Sequence, residues 1–354
     1  MSLRSTMTSQ RGLTLIELLT AMALSLILLT GVAMLFSANK TTYKLQEGMS
    51  IIQESGRYAI SQIRADYQKA GYGGCLSPQS SPIVSNLVAG SPDYLGAIRD
   101  GTPLSGMNDV ATVSIGGRNV VAGTDVLDIR GPLRSSIAYV TGPIFAPDAI
   151  QVTGNNTGFV DNEYMMIADC AGADIFRASA VTTAAGPPAV TNIAHSDAVN
   201  IQPVLTRKYG ADSVVMELFI YTYFISDTGR TNDDGAAILA LYREDGSGNP
   251  QELLEGVENM QITYGVDANG DNLAESFLDA DAVTNWGQVV SVSVSLLINS
   301  VNPALFGDID TPDPTEELKY TYLPLSDSKI SPAEDDFRMR QEFSSVISLR
   351  NSTL

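Results

Sequence analysis

The residue with the clearest chemical meaning is Glu17, the single charged side chain in an apolar run from Leu13 to Phe36. No proline interrupts this run, and as a helix it would span roughly 36 Å, enough to cross a hydrocarbon core of about 30 Å. An ionised carboxylate in such a segment costs on the order of 3 kcal/mol in a membrane, so Glu17 needs a partner. A short polar leader that ends in Gly12 precedes the run.

This arrangement resembles the type III signal of type IV prepilins. The shared features are a leader with Arg4 and Arg11, a glycine before the cut, an apolar residue after it, and glutamate at the fifth mature position. Leu13 is a mild departure, because many members of the family have phenylalanine there. The resemblance implies that a prepilin peptidase cuts after Gly12 and methylates the new amine of Leu13. The alternative is an uncleaved signal anchor with a stray glutamate.

Cleavage would place a positive charge at Leu13, inside the apolar stretch. Glu17 can then pair with the Leu13 amine of a neighbouring subunit, which offsets the burial of both groups. Glu17 can also reach the amine of its own chain, because positions i and i+4 share a helix face. The sequence does not separate these two arrangements.

The helix is expected to continue beyond the membrane, because apolar and small residues recur every three or four positions after residue 44. The stripe consists of Leu45, Met49, Ile52, Gly56, Ile60, Ile63, Tyr67 and Ala70. Arg57, Arg64, Asp66 and Lys69 fall off the stripe and are expected in water. We therefore divide the chain into a removed leader (1–12), a stem helix (13–71) and a head (72–354). The stem crosses the membrane over 13–36 and is amphipathic over 37–71.

Short apolar runs separated by glycine, proline, serine and threonine follow the stem and predict strands. The clearest runs are Asp125–Arg130, Tyr164–Ala168, Met216–Ile225, Ala237–Tyr242, Met260–Val266 and Val290–Ile298. In the last run valine, leucine and isoleucine alternate with Ser291, Ser293 and Ser295, which predicts a half-exposed strand of an antiparallel sheet. Residues 76–205 are expected to hold long loops and a few strands. The fold class is α+β: a long N-terminal helix packed on an antiparallel, β-rich, pilin-like head.

Five stretches of the chain resemble minor pilins of the PilW kind. They cover residues 54–75, 168–176, 256–271, 286–298 and 337–351. The layout, with Trp286 before the long strand, is also similar to the J-type pseudopilin of type II secretion. The resemblance implies a minor pilin at or near the tip of a type IV pilus that initiates or supports assembly, and hence twitching motility and adhesion. The alternatives are the pseudopilin and a tip module in which 76–205 binds a surface ligand.

The same resemblance implies the partners and the location. The partners are other minor pilins, the major pilin, a tip adhesin, the prepilin peptidase and the inner-membrane assembly platform. The chain would cross the bacterial inner membrane once, with its head in the periplasm, and then move to the surface pilus. The net charge of −19 argues against nucleic-acid binding. Cys75 and Cys170 would lie in an oxidising compartment, which favours a disulfide over two buried thiols.

The stretch from Asp267 to Glu275 could hold a cation. Asp267, Asn269, Asp271 and Glu275 place acids or amides at positions 1, 3, 5 and 9 of a calcium loop, with the carbonyl of Leu273 between them. The match is incomplete, because Asn272 replaces the usual glycine and the twelfth position lacks its glutamate. The alternative is a polar hairpin turn. No cofactor is required, and calcium is the ion that this loop would take.

Catalysis finds little support in the sequence. His195 is the only histidine, so a histidine metal cluster within one chain is excluded and a Ser-His-Asp triad has one candidate base. His195 lies in a polar run and is expected in a surface loop. The chain has no nucleophile elbow, phosphate loop or dinucleotide fingerprint. We therefore expect a protein that is not an enzyme.

Overall fold

A single helix dominates the N-terminal part of the chain. A computed structural model describes residues 14–70, 75–76, 81–99, 102–141, 149–154, 158–184, 186, 189–303 and 336–349. Helix α1 runs without a break over Leu15–Tyr67, which is 53 residues or about 80 Å. It ends at the C-cap Gln68, whose N–H donates to the carbonyl oxygens of Arg64 and Asp66. The helix predicted across the membrane boundary is therefore continuous.

One further α-helix and eighteen strands follow in the described part of the chain. Helix α2 is the short segment Tyr94–Arg99. The strands are β1 (Ile83–Ser85), β2 (Leu104–Met107), β3 (Ser114–Ile115), β4 (Arg118–Asn119), β5 (Val126–Pro132), β6 (Ala138–Tyr139), β7 (Ile150–Thr153), β8 (Tyr164–Asp169), β9 (Gly172–Arg177), β10 (Ala180–Ala184), β11 (Val190–Ala194), β12 (Val214–Thr231), β13 (Ala237–Glu244), β14 (Gln251–Glu255), β15 (Val257–Val266), β16 (Ser276–Leu278), β17 (Val289–Asn299) and β18 (Arg340–Ser348).

Strand β12 organises the larger sheet. Its first part pairs with β8 and β6, and its later part pairs with β5 and β13, all antiparallel. The strand order along the main path is β1-β9-β8-β12-β13-β14. The pairing of β1 with β9 is parallel, whereas every other strand pair among the described residues is antiparallel. The predicted antiparallel, β-rich head is therefore confirmed.

The second sheet has the order β16-β15-β17-β18. Strand β17 is one of its two inner strands and pairs with the whole length of β18, from Ser291 opposite Ser348 to Asn299 opposite Arg340. A separate three-stranded sheet, β10-β11-β7, lies in the region for which a few strands and long loops were predicted. Strands β1 to β11 all begin between residues 76 and 205, so this region is richer in short strands than its composition indicated.

The main core lies where the second half of α1 meets both large sheets. Ile52, Ile63 and Tyr67 of the helix pack in one cluster with Tyr223 of β12 and Val294 of β17. Each of these five residues is fully buried. The amphipathic half of the helix is therefore held by apolar contacts on two sheets.

The prediction of a half-exposed β17 was wrong. All eleven residues of the strand are buried, and Ser291, Ser293 and Ser295 are at most 7 % exposed. Strand β17 lies between β15 and β18, so neighbouring side chains cover its short serines. The hydroxyl of Ser295 also donates to Glu342 at 3.0 Å. The alternation of apolar and polar residues in β17 therefore reflects two different packing environments. It does not mark a solvent-exposed face.

Candidate functional site

The candidate site begins at the start of α1, where Glu17 lies. Thr14 is the N-cap, and its hydroxyl accepts a hydrogen bond from the N–H of Glu17 at 3.3 Å. The Glu17 carboxylate in turn accepts from the N–H of Thr14 at 3.0 Å, which completes a capping box. The predicted processing residues Gly12 and Leu13 lie outside the described residues. Glu17 therefore reaches back to the residue that directly follows Leu13.

The capping box uses Glu17 but does not neutralise it. In the described part of the chain no basic side chain lies within ion-pair distance of its carboxylate. A carboxylate in an apolar segment without a cation is unfavourable in a low-dielectric medium. The side chain is thus available to a positive group supplied from outside the helix interior.

The first half of α1 presents its apolar side chains outward. Every residue from Thr14 to Phe36 is exposed, and this is the one membrane-length apolar helix found among the described residues. Its hydroxyls bond to the helix itself: Thr20 donates to the carbonyl of Ile16 at 3.0 Å, and Ser25 donates to that of Ala21 at 2.7 Å. Because lipid offers no hydrogen bonds, internal satisfaction of these groups suits the helix to a bilayer or to an apolar bundle.

The second half of α1 ends in a buried charged cluster around Asp66. The side chain of Asp66 is fully buried, so the prediction that it lies in water was wrong. Its carboxylate accepts from the hydroxyl of Tyr223 at 2.5 Å, from Arg243 Nη1 at 2.9 Å and from Lys69 Nζ at 2.6 Å. Arg243 also lies over the ring of Tyr221, with its guanidinium 4.5 Å from the centroid. The helix end is therefore tied to β12 and β13 by charge-assisted bonds.

The electrostatics of this cluster keep Asp66 ionised. Burial on its own would raise the pKa of the carboxyl, but the hydrogen bonds from Lys69, Tyr223 and Arg243 hold the pKa below its ordinary value. Burial and the nearby carboxylate raise the pKa of Tyr223, which stays a donor. Asp66 is thus a negative charge whose partners all lie within the protein.

A disulfide adds a second link near the end of the stem, and this link is covalent. Cys75 and Cys170 are bonded, with their Cα atoms 4.9 Å apart and a sequence separation of 95. Cys170 lies in the turn between β8 and β9, where the Asp169 carboxylate accepts from the N–H groups of Ala171 and Gly172. The expected disulfide is confirmed, and it fixes the chain after α1 to the larger sheet.

The predicted calcium loop joins β15 to β16. Because these strands pair antiparallel, with Val266 opposite Ser276, the loop closes a hairpin. One carboxylate oxygen each of Asp267, Asp271 and Glu275 lies within 4.8 Å of the others, as ligands of one ion would. Burial opposes ionisation of Asp267, but backbone N–H groups, first that of Gly270, lower its pKa overall. The side chain of Asn269 donates to Asp271 at 3.3 Å, while Leu273 is exposed at the tip of the loop.

The sole histidine does not lie in a surface loop. His195 is 4 % exposed and packs edge-on against Phe176, with ring centroids 5.6 Å apart. The prediction of a surface position was therefore wrong, because the polar run around His195 folds against the core formed by β8 and β9.

Two parts of the site were not identified from the sequence. The capping box is visible in it, since threonine followed three residues later by glutamate marks a helix start. The Asp66 cluster carries no such local signal, because Tyr223 and Arg243 are 157 and 177 residues away along the chain. The only sequence feature consistent with burial of Asp66 is its position close to the buried face of the helix.

The fold and the stem together define a class of protein. A membrane-length apolar helix that runs without a break into an amphipathic half, packed on an antiparallel β-rich head, is a type IV pilin-like architecture. Residues 7–33 match the model of the prokaryotic N-terminal methylation motif, and residues 222–351 match the model of type IV pilus-assembly protein W. Together the two matches support a type IV pilus minor pilin of the PilW family, a family of structural pilus components. No curated protein sequence matches the chain at a significant level.

Proposed function

We propose that the chain is a minor pilin that acts by assembly. A prepilin peptidase would cut after Gly12 and methylate Leu13, and the apolar half of α1 would then leave the membrane for the core of a filament. The observation that carries the proposal is the exposed apolar half of α1, with Glu17 at its start, joined rigidly to a packed half. Such a helix is stable along its full length only in lipid or among similar helices.

Glu17 would set the register of the subunit in the filament. Its carboxylate points back to Thr14, next to the expected mature amine, and has no cation among the described residues of its own chain. The amine of Leu13, from a neighbouring subunit or from the same chain, is the positive group that the processing step would supply. Pairing offsets the desolvation of both charges, whereas loss of one partner leaves a buried charge worth several kcal/mol.

The head supports a place at or near the pilus tip. It spans residues 72–354, and a body of this size would crowd a continuous shaft of packed helices. Its partners would be other minor pilins, the major pilin, a tip adhesin and the inner-membrane assembly platform. Before assembly, the single span would hold the head in the periplasm, in agreement with a disulfide that needs an oxidising compartment. The role is structural, and we propose no catalytic activity.

The second candidate is the J-type pseudopilin of a type II secretion system. The favouring observation is the layout, in which a long stem helix precedes strands and Trp286 opens the turn before β17. The match to pilus-assembly protein W over residues 222–351 favours the pilus. A third role, ligand binding by residues 76–205, has its strongest support in the separate β10-β11-β7 sheet.

A deletion strain separates these roles. We expect loss of surface pili and of twitching, with normal secretion of type II substrates, and recovery of pili from a plasmid copy. Normal pili with lost secretion would favour the pseudopilin. Normal pili and twitching with lost attachment would favour ligand binding.

We also propose that calcium binds the hairpin loop between β15 and β16. The support is the convergence of oxygens from Asp267, Asp271 and Glu275, with Asn269 and the carbonyl of Leu273 in the same loop. Calorimetric titration of the full chain with calcium is expected to give a single site that Asp267→Ala with Asp271→Ala removes. Asp233→Ala with Asp234→Ala, in the β12–β13 hairpin, is the matched control. Absence of heat in the wild type would refute the proposal.

A further inference from the structure

Among the described residues, no strand pairs with the outer side of β18, which forms one edge of the four-stranded sheet. The carbonyl of Met339 accepts from Ser300 N–H, and the N–H of Leu349 donates to Val290, so odd-numbered residues direct their backbone groups toward β17. Because these directions alternate along a strand, Glu342, Ser344 and Val346 direct theirs to the open side. Across the described ranges, no backbone hydrogen bond fills that side.

Strand β18 lacks two of the features that protect open strand edges, proline and a bulge. Its nine residues contain no proline, and the pairing with β17 has no bulge from Arg340 to Ser348. Natural proteins block long regular edges with prolines, bulges, inward charges or a covering segment, because such an edge accepts another strand. A regular, nine-residue edge of this kind can accept an added strand.

A groove runs beside this edge, under α1. Gly56 faces β18 so closely that a Cβ there would lie 2.5 Å from the Phe343 ring. Asp66 contacts β12 and β13, whereas Arg57, Ile60 and Arg64 lie on the part of the helix surface that faces β18. These side chains roof a groove of about 320 Å³ whose floor is formed by Phe343 and its neighbours in β18. Alternate side chains of an added strand would enter this groove.

The groove is positively charged in an otherwise acidic protein. Arg57 is exposed and Arg64 donates to the Ser345 hydroxyl at 2.6 Å, and neither has a carboxylate partner among the residues that the structure describes. Six other arginines do have one: Arg130, Arg207, Arg230, Arg243, Arg338 and Arg340. In a chain of net charge −19, two neighbouring arginines without acids make this groove complementary in charge to an acidic occupant.

We propose that the edge of β18 binds an extended segment of another polypeptide that carries acidic side chains on alternate residues. The segment adds a strand through main-chain hydrogen bonds to Glu342, Ser344 and Val346. Its acidic side chains lie in the groove and contact Arg57 and Arg64. Main-chain bonds supply affinity in such complexes, and the pockets for alternate side chains supply specificity. The inference concerns the folded head and does not depend on where the chain sits in a pilus.

The test uses the full chain in a nonionic detergent and two fluorescent, end-capped heptapeptides. One peptide alternates threonine with aspartate, and the other alternates threonine with lysine. Fluorescence anisotropy is expected to show binding of the acidic peptide at least about tenfold tighter than binding of the basic one. Arg57→Gln with Arg64→Gln is expected to remove this difference. Lys40→Gln, which removes an exposed charge of the same helix away from the groove, is expected to preserve it.

Hydrogen exchange tests the backbone part of the proposal. Bound acidic peptide is expected to slow exchange at the amides of Glu342, Ser344 and Val346, while the amides that already bond to β17 change little. Ser344→Pro is expected to abolish binding and Ser344→Thr to retain it, since proline removes an outward donor. If Ser344→Pro does not fold, as judged by Trp286 fluorescence, the arginine variants and the exchange pattern decide. Absent binding, equal binding of both peptides, or no change at these amides overturns the proposal.

Discussion

The first half of α1 leaves its apolar side chains exposed, whereas the second half buries a stripe that includes Ile52, Ala59 and Ile63 on two sheets. One acid in each half shows the same contrast. Glu17 bonds to the helix start and has no cation among the described residues, while Asp66 is fully buried among Lys69, Tyr223 and Arg243.

This difference shows which half of α1 depends on other molecules. The buried stripe of the second half and its Asp66 both have partners within the chain. The first half lacks both, so lipid or other helices must cover it and a positive group must reach Glu17. Changes in the first half should therefore alter assembly, and changes in the second half should alter the stability of the head.

The largest expected effect is that of Glu17→Ala on assembly. In the proposed pairing, loss of the carboxylate leaves the amine of Leu13 without its partner, so surface pili, counted by electron microscopy, should fall by about tenfold or more. Glu47→Ala, which removes an exposed glutamate from the same helix beyond the membrane-length run, is the control and should retain pili. Unchanged pilus counts in the Glu17→Ala strain would contradict the proposed difference between the two halves of α1.

The next effect is that of Asp66→Ala on the head. Removing one partner of a buried ionic cluster leaves Arg243 and Tyr223 unsatisfied, and we expect a loss of about 3–5 kcal/mol in the free energy of unfolding. Urea unfolding of the purified chain, followed by tryptophan fluorescence, measures it. Glu17→Ala should unfold like the wild type, as should Ser61→Ala at an exposed position of the same helix half. Equal midpoints for the Asp66 variant and the wild type would show that the cluster is not stabilising.

The sequence allowed prediction of the local features of this contrast. An apolar run of membrane length, a single acid inside it, a glycine before it and a stripe after it all lie within one segment, so periodicity and spacing are sufficient. The disulfide followed from two cysteines and an oxidising compartment. The continuous helix and the β-rich head therefore needed no tertiary information.

Burial of polar residues could not be predicted in the same way. Asp66 is buried because Tyr223 and Arg243, far along the chain, fold onto it, and no window around Asp66 contains them. Ser293 is buried because β17 has a strand on each side, which the alternation of the run itself does not reveal. His195 is buried and packs against Phe176 of β9. In each case contacts with residues distant in sequence determine the exposure of the side chain, and the local sequence pattern does not.

The pH dependence of stability tests the effect of nearby cations on the pKa of a buried acid. Asp125 is 2 % exposed and accepts only backbone N–H groups, of Asp109 and Ile262, and burial raises its pKa to about 7. A raised pKa means that its contribution to stability is present below about pH 4 and is lost as pH rises toward about 7, by about 2–4 kcal/mol. Asp66 has a lowered pKa, so its contribution is present above about pH 4 and is lost as pH falls.

Urea unfolding across this range tests both signs. The stability gap between wild type and Asp125→Asn should shrink as pH rises from about 4 to about 7, while the gap between wild type and Asp66→Asn should shrink as pH falls below about 4. Ser226→Ala, a buried polar change without a titrating group, should give a constant gap. A gap for Asp125→Asn that grows with pH would contradict the assigned cause.

The smallest expected effects come from one glycine in each half of α1. A Cβ at Gly56 would lie 2.5 Å from the Phe343 ring, so Gly56→Ala should force the ring to move and lower the free energy of unfolding by about 1–3 kcal/mol. A Cβ at Gly31 meets nothing within 4 Å, so Gly31→Ala should stabilise the helix by up to about 1 kcal/mol. Urea unfolding of both variants measures the pair, with circular dichroism to follow the helix. Because the exposed half needs other molecules only to cover its surface, alanine at Gly31 should leave the head unchanged. A destabilised head in Gly31→Ala would mean that the two halves of the stem are coupled through the helix itself.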